Sequence, residues 1–516
     1  MPKNDKLFIN QTQQSLEKYL WEAADKLRKN IDAAEYKHIV LGLIFLKYIS
    51  DSFDELSLRF KDVNFGKLPL ELADGVVNSS TIIFVPPLAR WENLLTAAKK
   101  PNIGRLVDRA METIENQNPQ LKGVLPKVYA RLNLDPATLG GLIDLVSNIS
   151  LGEAKEQSSD VLGHVFEYFL GEFALGEGKK GGQFYTPRSI VELLVEMLEP
   201  YQGKVFDPCC GSGGMFVQSE KFVIEHQGQV NNISLYGQES NLTTWRLAKM
   251  NLAIRKIDSS LVKWNHEGSF LNDAHHELKA DYIIANPPFN DSDWSGEQLR
   301  ENRRWQYGVP PVGNANFAWL QHFVHHLSPN GQAGIVLAKG ALTSNVGGEG
   351  DIRRRMVEEG NLVDCIVNLP TKLFLNTQIP AALWFLSLNR KNGQFRNRSQ
   401  EILFIDARDL GELINRRTRI LTKKDILQIS STYHNWRNSD GHYEDIKGFC
   451  CSAPVGNVVD MNCVLTPGRY VGLPEVEDEI DYEERFLSLR GEFLRQTEEE
   501  KRLNAKIIKA LSKIKI

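Results

Sequence analysis

The stretch Lys204–Phe216, KVFDPCCGSGGMF, has the pattern of a β-strand, a glycine-rich turn and the start of a helix. Gly211, Gly213 and Gly214 let the backbone of the turn approach a ligand closely, because glycine has no Cβ. The helix that follows offers free N–H groups in its first turn. Many nucleotide sites use such a turn. Asp207 argues against a ligand with a pyrophosphate, because its carboxylate would repel that group. The stretch therefore favours a ligand with positive charge, such as a sulfonium or an α-amino group.

On both sides of this turn, from about residue 176 to residue 420, short β-branched strands alternate with amphipathic helices. The strand-like segments are GKVFDP, ISLYGQE, DYIIANPP, GQAGIVLA, NLVDCIVNLP, AALWFLSL and EILFIDA. This rhythm predicts an α/β fold with a Rossmann-like, doubly wound and mostly parallel sheet. Ligands of such sheets bind at the carboxyl ends of the strands, so we expect the functional residues there.

The character of the sequence changes outside this region. Residues 15–56 have apolar side chains at three- and four-residue spacing and are rich in helix-forming residues, which indicates an all-α domain. An acidic stretch at 475–484 precedes apolar residues near heptad spacing, which fit either packing within the chain or a coiled coil with another chain. We predict an N-terminal helical domain at 1–160, the α/β domain at 161–420, and a C-terminal region at 421–516 that ends in a helix.

The composition is that of an ordinary soluble protein, since 42% of the 516 residues are hydrophobic and 24% are charged. The longest apolar run, residues 40–46, is far shorter than the roughly 20 residues that a membrane span needs, and the N-terminus lacks a signal pattern. We therefore expect a cytoplasmic protein whose six cysteines are reduced. Its net charge of −4 is unusual for a protein that grips DNA alone, so action on nucleic acid would need a local basic surface or a partner.

Three other stretches contain candidate site residues. LYGQES ends a strand at Glu239, where an acidic side chain typically accepts both hydroxyls of a ribose; a surface position is the alternative. In GGQFYTPRSIVELL, Thr186 and Pro187 have the pattern of a helix cap and first turn, and Tyr185 offers an aromatic edge. DYIIANPPFN, Asp281–Asn290, runs a strand into two prolines, which have no N–H for a sheet, so the strand ends in a stiff corner.

The order of these motifs, QFYTPR, DPCCGSGG, GQE and then NPPF, resembles the S-adenosylmethionine-dependent amino-methyltransferases of DNA. The cofactor motifs precede the catalytic one by only about 70 residues, which looks like the gamma arrangement of that class. LWEAADKLRKNIDAAEYKHIVLGLIFLKYISD and GNANFAWLQHF closely resemble the modification (M) subunit of type I restriction-modification systems. This resemblance covers residues from about 10 to about 420.

The resemblance implies S-adenosyl-L-methionine as the cofactor and places Asp207 near its methionine amino group or its sulfonium. Related enzymes often have an aspartate that contacts the cofactor adenine after the next strand, whereas this chain has Gly268-Ser269-Phe270. Ser269 replaces that contact or Asp273 reaches it, and the sequence leaves both open. The implied cofactor-binding residues are Gln183, Phe184, Tyr185, Thr186, Pro187, Arg188, Asp207, Ser212, Gly213, Gly214 and Glu239.

The implied catalytic residues are those of the proline corner. The exocyclic amine of adenine is a poor nucleophile, because its lone pair is delocalised into the ring. The side-chain oxygen of Asn286 and the carbonyl of Pro287 would accept the two amine hydrogens, and Pro288 would hold the corner rigid. The adenine has to leave the duplex to reach this position, where Phe289 would stack on it.

The polar loop between Asn290 and Asn316 contains arginines beside aromatic residues, which suit contact with DNA; a solvated loop is the alternative. The residues concerned are Trp294, Arg303, Arg304, Trp305 and Tyr307. The basic patches at 353–355 and 416–419 fit helix surfaces better than phosphate contacts. We expect no metal site, because the pairs at 275–276 and 325–326 lack ligand spacing and a carboxylate partner.

Taken together, the resemblance implies the methylase subunit of a type I complex, an adenine-specific DNA methyltransferase that acts on double-stranded DNA. Its implied partners are a specificity (S) subunit that reads the sequence, a second M copy through S, and a restriction (R) subunit, and we predict that the C-terminal helix, 482–516, docks on S. A stand-alone adenine methyltransferase and a non-catalytic scaffold are the alternatives. Related Asn-Pro-Pro-aromatic corners also methylate protein glutamine or RNA amines, so the corner alone does not fix the substrate.

Overall fold

The computed structural model describes residues 17–28, 31–59, 83–131, 134–148, 165–173, 186–229, 232–374, 379–416, 418–473 and 482–511. The chain divides into one compact unit that ends at Val471 and a second that begins at Gly472. Each unit is described by itself. Of the predicted site residues, Gln183, Phe184 and Tyr185 lie outside the described residues.

A nine-stranded sheet is the centre of the first unit. A separate two-stranded hairpin, within residues 412–420, precedes the last strand of that sheet in the sequence. The strands are β1 (Gly203–Asp207), β2 (Ile233–Glu239), β3 (Val262–Trp264), β4 (Ala280–Ala285), β5 (Leu327–Ala338), β6 (Val363–Asn368), β7 (Ala381–Ser387), β8 (Glu401–Asp406), the hairpin β9 (Glu412–Leu413) and β10 (Arg419–Ile420), and β11 (Cys450–Pro454). The order in the large sheet is β11-β8-β6-β7-β5-β4-β1-β2-β3. Among the described strands of this large sheet, only β7 and β11 run antiparallel to their neighbours. The predicted mostly parallel sheet is confirmed.

The sheet reverses its strand order at β1, which pairs with β2 on one side and with β4 on the other. Val205 of β1 is opposite Leu235 of β2 and Tyr282 of β4. Chain segments leave β1 and β4 in different directions along the sheet, which opens a crevice at the carboxyl ends of these two strands. This switch point is where a ligand site is expected in a doubly wound sheet.

Helices cover both faces of the sheet, as expected for a doubly wound fold. Val205 and Ile284 belong to one apolar core, whereas their neighbours Phe206 and Ile283 belong to another, which is the alternation that a strand buried on both faces requires. The helices of this region are α7 (Arg188–Leu198), α8 (Gly214–Glu225), α9 (Leu242–Ile254), α10 (Gly268–Leu271), α11 (Asn316–His326), α12 (Glu349–Glu358), α13 (Lys423–Arg437) and α14 (Val455–Asp460).

The N-terminal part of the chain is helical, as predicted. Its helices are α1 (17–28), α2 (Ala33–Arg59), α3 (Trp91–Thr96), α4 (Ile103–Gln117), α5 (Pro136–Ser147) and α6 (165–173). They share an apolar core with Leu247, Met250 and Ile254 of α9. Because α9 also belongs to the sheet layers, the helical region and the α/β region are packed as one body around this helix.

The chain after residue 420 begins with α13, whose start is fixed by a reciprocal cap between Thr422 and Asp425. The antiparallel strand β11 then adds to the edge of the sheet beside β8. In the second unit, α15 (Tyr482–Leu511) has exposed apolar side chains along much of its length. Among the described residues, no helix combines the length and the apolar character that crossing a membrane would require.

Candidate active site

Three of the predicted site residues meet at the switch point of the sheet. Asp207 ends β1, Glu239 ends β2, and Asn286 follows directly after β4. Glu239 and Asn286 line a cavity of about 450 Å³, together with Gly211, Ser212, Ser269 and Pro288. A smaller cavity of about 40 Å³ is lined by Asp207, Thr186, Arg188 and Gly214, and it shares Ser212 and Asn286 with the larger one.

The glycine-rich turn is held against the end of β2. Gly211 and Gly213 have φ values of 54° and 78°, a left-handed conformation that a side chain would strain. The Gly211 N–H donates to Oε2 of Glu239 at 3.0 Å. Asn251 of α9 donates from Nδ2 to the carbonyl of Ser212 at 2.8 Å, a support that no motif in the sequence pointed to. The turn is therefore fixed from two sides.

Asp207 is a buried carboxyl group beside the turn. It is 2% exposed, and its Oδ1 accepts from the Cys209 N–H at 3.0 Å. The pKa of Asp207 is raised to about 7, mainly by burial and to a small extent by the nearby Glu239 charge, although the Cys209 donors act in the opposite direction. A carboxylate that is costly to ionise in an empty site becomes favourable when a cation binds next to it. The site thus has the electrostatics of a receptor for a positively charged ligand.

Glu239 holds both the turn and the next helix start. Its Oε2 accepts from Gly211, and its Oε1 accepts from the Asn241 N–H at 2.8 Å. Burial raises the pKa of Glu239. The Ser240 hydroxyl also donates to Oε1, at a long distance of 3.5 Å, and a ligand donor could replace it. Because a carboxylate oxygen can accept two hydrogen bonds, the side chain can receive hydroxyl donors from a ligand in the large cavity.

Asn286 is the first residue of the proline corner. Its side-chain amino group has a hydrogen-bond partner, whereas its side-chain oxygen has none among the described residues. Its Nδ2 donates to Oγ1 of Thr186 at 2.8 Å, which joins the QFYTPR and NPPF motifs. Its Oδ1 is buried and has no hydrogen-bond partner in the part of the chain that the structure describes. Because a buried acceptor without a donor costs free energy, this oxygen is suited to a donor group on a ligand.

Phe289, at the other end of the corner, is 8% exposed and packs edge-on against Phe374, with ring centroids 5.9 Å apart. It is not among the residues that line the large cavity. The next residue, Asn290, has a φ of 54° and is held by Asn316, whose Oδ1 accepts from the Asn290 N–H at 3.1 Å. Nδ2 of Asn316 also donates to Oδ1 of Asn290 at 2.8 Å. The GNANF stretch thus braces the corner.

Ser269 and Asp273, the two candidates for contact with the cofactor adenine, are both engaged elsewhere. Ser269 lines the large cavity, but its hydroxyl donates to the Pro208 carbonyl at 2.5 Å. Asp273 accepts from the His275 N–H and pairs with Nε2 of His326 at 2.8 Å. The expectation that the histidine pairs have no carboxylate partner is therefore wrong for His326.

Asp273, His322 and His326 place one possible metal-ligand atom each within 4.8 Å of one another. A guanidinium nitrogen of Arg304 donates to Nδ1 of His322 at 2.9 Å. This bond leaves the hydrogen of neutral His322 on Nε2 and puts a positive charge beside the group, which disfavours a cation there. The cluster is better described as a hydrogen-bonded support behind the cavity.

Two interpretations of the loop between Asn290 and Asn316 were open from its sequence, contact with DNA and a solvated loop, and the structure differs from both. Trp294, Arg304 and Trp305 are buried, so the expectation that they face DNA is wrong, and so is the solvated alternative for these three. Of the two neighbouring arginines in the loop, Arg303 is exposed and Arg304 is buried. In the 353–355 patch, Arg353 is likewise buried and donates from Nε to the Cys463 carbonyl at 2.7 Å.

Two residues from the N-terminal helices also line the large cavity. They are Lys37 of α2 and Leu170 of α6. Neither lies in a motif of the site, and both are far from it in the sequence, so only the packing of the helices against α9 brings them there.

The comparisons with known proteins agree on one family. The N-6 DNA Methylase family matches residues 157–479, and the HsdM N-terminal domain matches residues 16–146. The type I restriction enzyme HindI methylase subunit of Haemophilus influenzae is 47% identical over 449 residues, which are 83% of this chain and 99% of the relative. The MjaIX methylase subunit of Methanocaldococcus jannaschii is 38% identical over 95% of this chain and 90% of the relative.

A solved structure of the same kind of subunit has a similar fold. The methyltransferase subunit of a type I restriction-modification system from Streptococcus thermophilus superposes with a TM-score of 0.74 at 24% identity. The match covers 89% of this chain and 99% of that chain.

The strand order, the glycine-rich turn and the Asn-Pro-Pro-Phe corner at the switch point define a DNA methyltransferase of the N6 class with the fold of the S-adenosylmethionine-dependent enzymes. Within that class, the chain belongs to the methylase subunits of type I restriction-modification systems. The resemblance drawn from the motifs is confirmed.

Proposed function

We propose that the chain binds S-adenosyl-L-methionine in the two adjoining cavities and methylates the N6 amine of an adenine that has been extruded from a specific duplex DNA site. When bound, the cofactor supplies an electrophilic methyl group on a positively charged sulfur. The observation that carries the proposal is the buried, unpartnered Oδ1 of Asn286 at the carboxyl end of β4.

The residues at the switch point fit the cofactor. Buried Asp207 provides a carboxylate for its positive groups, and Glu239 retains acceptor capacity for its ribose hydroxyls. The turn at Gly211 and Gly213 leaves the backbone open to a close approach. Thr186, Pro187, Arg188, Ser212 and Gly214 are the other described residues to which we assign cofactor contacts, and all but Pro187 line one of the two cavities.

Asn286 and Pro287 would activate the adenine amine. Oδ1 of Asn286 would accept one amine hydrogen and the Pro287 carbonyl the other, which would draw the nitrogen towards tetrahedral geometry and free its lone pair for attack on the methyl group. As the nitrogen–carbon bond forms, the methyl–sulfur bond would break with its electron pair left on sulfur, and one of the two amine protons would then pass to solvent. The bond from Asn286 Nδ2 to Thr186 holds the amide so that Oδ1 is the free end. Because both acceptors are fixed before the substrate arrives, little reorganisation is needed during the reaction.

Phe289 would stack on the extruded adenine. Only 8% of this residue is exposed, so part of its contact with Phe374 has to be given up when the base enters. Base–aromatic stacking contributes roughly 1–3 kcal/mol per base, which is enough to compensate for losing one edge-on aromatic contact of about 0.5–1.5 kcal/mol.

We also propose that sequence reading is carried out by a separate specificity subunit, which holds two copies of this chain, and that a restriction subunit joins them. The net charge of −4 supports this division, because a protein that alone bound DNA tightly would usually carry a basic excess. Methylation of a specific site by the purified chain without a partner would instead support a stand-alone methyltransferase.

The test is the rate of methyl transfer from labelled cofactor to DNA, with the specificity subunit supplied. We expect Asn286→Ala to lower the rate by about 100- to 1000-fold, the usual effect of removing one preorganised polar group from a transition state. Cofactor affinity should change little. Asn330→Ala is a matched control, because Asn330 is exposed at the start of β5, near the amino ends of the parallel strands. Equal rates for Asn286→Ala and wild type would overturn the mechanism.

A further inference from the structure

A further cavity, of about 430 Å³, lies in the first unit and shares no lining residue with the two active-site cavities. All three residues of β3 line it, and β3 is the strand at which the described part of the large sheet ends. Its other walls come from α9, the turn before β3 and residues 119–122. Small-molecule sites occupy about 300–1,000 Å³, so the cavity is large enough for a ligand of its own.

The charged side chains of this cavity are predominantly cationic. Lys122, Lys256 and Lys263 line it from exposed positions, and Lys249 lines it from a buried one. None of the four forms an ion pair with a carboxylate among the described residues. Asp258 is the acidic residue of the lining, and its carboxylate accepts two hydrogen bonds in the turn before β3. Positive charge is therefore concentrated here, because the lining has four ammonium groups and one carboxylate.

Lys249 of α9 is the cation of this cavity that burial affects most. It is 6% exposed, and its ammonium donates to the carbonyl of Ser259, another lining residue, at 2.6 Å. An ammonium carries three donors, and this carbonyl is the acceptor that the described residues give it. Burial lowers the pKa of Lys249 to about 8, although Asp258 acts in the opposite direction. An anion bound beside this group would stabilise its charged form and accept its remaining donors.

The cavity also contains an exposed aromatic residue in a fixed orientation. Trp264, the last residue of β3, is 44% exposed and lines the cavity. Its indole N–H donates to the Ser240 carbonyl at 3.1 Å, which limits rotation of the ring. Trp245 of α9, a second lining residue, is anchored in the same way to the Val262 carbonyl at 3.0 Å. A partly exposed indole with a fixed orientation is suited to stacking on a flat ring, such as a nucleobase.

We propose that this cavity, which we call the lysine cavity, is a second ligand site that binds a nucleoside phosphate. Lys256 and Lys263 bind the phosphate, Lys249 supplies further positive charge, and Trp264 stacks on the base. A free nucleotide and a nucleotide within a single strand share this chemistry, whereas the bases of a duplex are already stacked on one another. An acidic peptide would match the lysines and leave the exposed indole without a partner. The inference does not depend on the proposed methylation.

The experiment measures the affinity of the full-length chain for thymidine 5′-monophosphate by calorimetry, with S-adenosylhomocysteine in excess to occupy the active-site cavities. We expect binding that weakens as salt is added. The double variant Lys256→Glu/Lys263→Glu should bind at least about tenfold more weakly, because two cations that hold the phosphate become anions. Lys423→Glu/Lys424→Glu is the matched control, since it reverses two exposed lysines on α13, outside the cavity, and should bind as wild type does.

Two further arms test the stacking and identify the source of the nucleotide. Trp264→Ala should lower the affinity by about fivefold to hundredfold, the range of base–aromatic stacking, and Trp264→Phe, which keeps an aromatic ring, should be intermediate. A 5′-phosphorylated tetrathymidylate is then compared with the mononucleotide. Affinity higher by more than about tenfold would assign the site to single-stranded nucleic acid, because neighbouring phosphates add contacts, and a smaller difference would assign it to a free nucleotide.

Several results would overturn the inference. One is that neither probe binds; another is equal binding by wild type and either the double lysine variant or Trp264→Ala, with the melting temperature unchanged. A glutamate-rich peptide that binds as tightly as the nucleotide would also do so, because charge alone would then explain the binding. If Trp264→Ala fails to fold, the lysine variants decide, since both lysines are exposed. If S-adenosylhomocysteine does not bind, the proposed cofactor use fails, whereas the lysine comparison still decides this inference.

Discussion

At the scale of single residues, Asp207 is a buried carboxyl group whose negative charge a bound cation would stabilise. Desolvation raises the pKa of its carboxyl group to about 7, although the Cys209 donors favour the ionised form. The group is therefore near its titration point at neutral pH in the free protein. Since the ionised form is the one that pairs with a cation, we expect cofactor affinity to depend on the protonation of this residue.

We expect the affinity for S-adenosyl-L-methionine to rise with pH up to about 7 and to level off above it. Below pH 7 the affinity should fall by up to about tenfold per unit, because a proton must leave Asp207 before the cation binds. Asp207→Asn should bind more weakly and show little of this dependence. Calorimetric titrations between pH 5.5 and 8.5 measure both; an identical pH profile in the variant would show that another group is responsible.

The raised pKa of Asp207 also makes the stability of the folded protein depend on pH, in the direction opposite to that expected for cofactor affinity. The folded-state pKa of Asp207 lies above the unfolded value, so the folded protein binds more protons and loses stability as pH rises from about 4 to about 7. Asp207→Asn removes this loss. Its melting temperature should therefore exceed that of wild type at pH 8 and approach it at about pH 4, where the carboxyl group is protonated in the folded protein and largely protonated in the unfolded chain.

At the scale of elements, the corner after β4 depends on α11, which starts at Asn316. Asn290 has a left-handed backbone, which costs about 1–3 kcal/mol in a residue with a side chain unless the surroundings hold it. Two hydrogen bonds between Asn290 and Asn316, one in each direction, supply that hold. The prolines alone thus do not fix the corner; a helix start 26 residues later completes it.

We expect Asn316→Ala to lower the free energy of unfolding by about 1–3 kcal/mol and to slow methyl transfer, because the Asn290 N–H loses its acceptor and the corner loosens. Asn316→Asp keeps an acceptor for that N–H and should be intermediate in both measurements. Thermal unfolding and the methyl-transfer rate test this. An alanine variant with wild-type rate and stability would mean that the brace is unnecessary.

The loop that precedes α11 is also decided by its neighbours in the fold. Its sequence is polar and contains both arginines and tryptophans, which is compatible with contact to DNA. In the structure, Arg304 finds acceptors on Ser269, Phe270 and His322, so it is buried with its hydrogen bonds satisfied. Sequence pattern cannot distinguish an arginine that meets phosphates from one that meets backbone carbonyls.

At the scale of the whole molecule, the first unit is organised around α9, which contributes apolar side chains to the N-terminal core as well as to the sheet layers. Arg246 of this helix donates to the Gly123 carbonyl at 2.8 Å, and Arg255 forms an ion pair of 3.2 Å with Glu167 of α6. These contacts place Lys37 and Leu170 at the cavity wall. The N-terminal helices are therefore part of the site's structure.

Helix α15 of the second unit exposes apolar residues that a partner could cover. Phe486, Leu489, Phe493 and Ile507 are each more than half exposed. We expect a chain that ends at residue 473 to lose co-purification with the specificity subunit while it keeps its cofactor affinity. Phe493→Asp should weaken the interaction, whereas Lys501→Ala, a change at an exposed polar position, should not. A truncated chain that still co-purifies would exclude this helix as the docking element.

The sequence by itself determined the α/β class and the order of the motifs, and it predicted Asp207, Glu239 and Asn286 as site residues, because strand alternation, glycine turns and proline breaks act over a few residues. It also placed these residues at strand ends, where a doubly wound sheet brings them together. Only the tertiary structure decided the burial of Trp294, Trp319 and Arg304 and the hydrogen bonds between Asn316 and Asn290. Each of these depends on contacts between segments far apart in the chain, and burial and hydrogen-bond partners are set by those neighbours and not by local pattern.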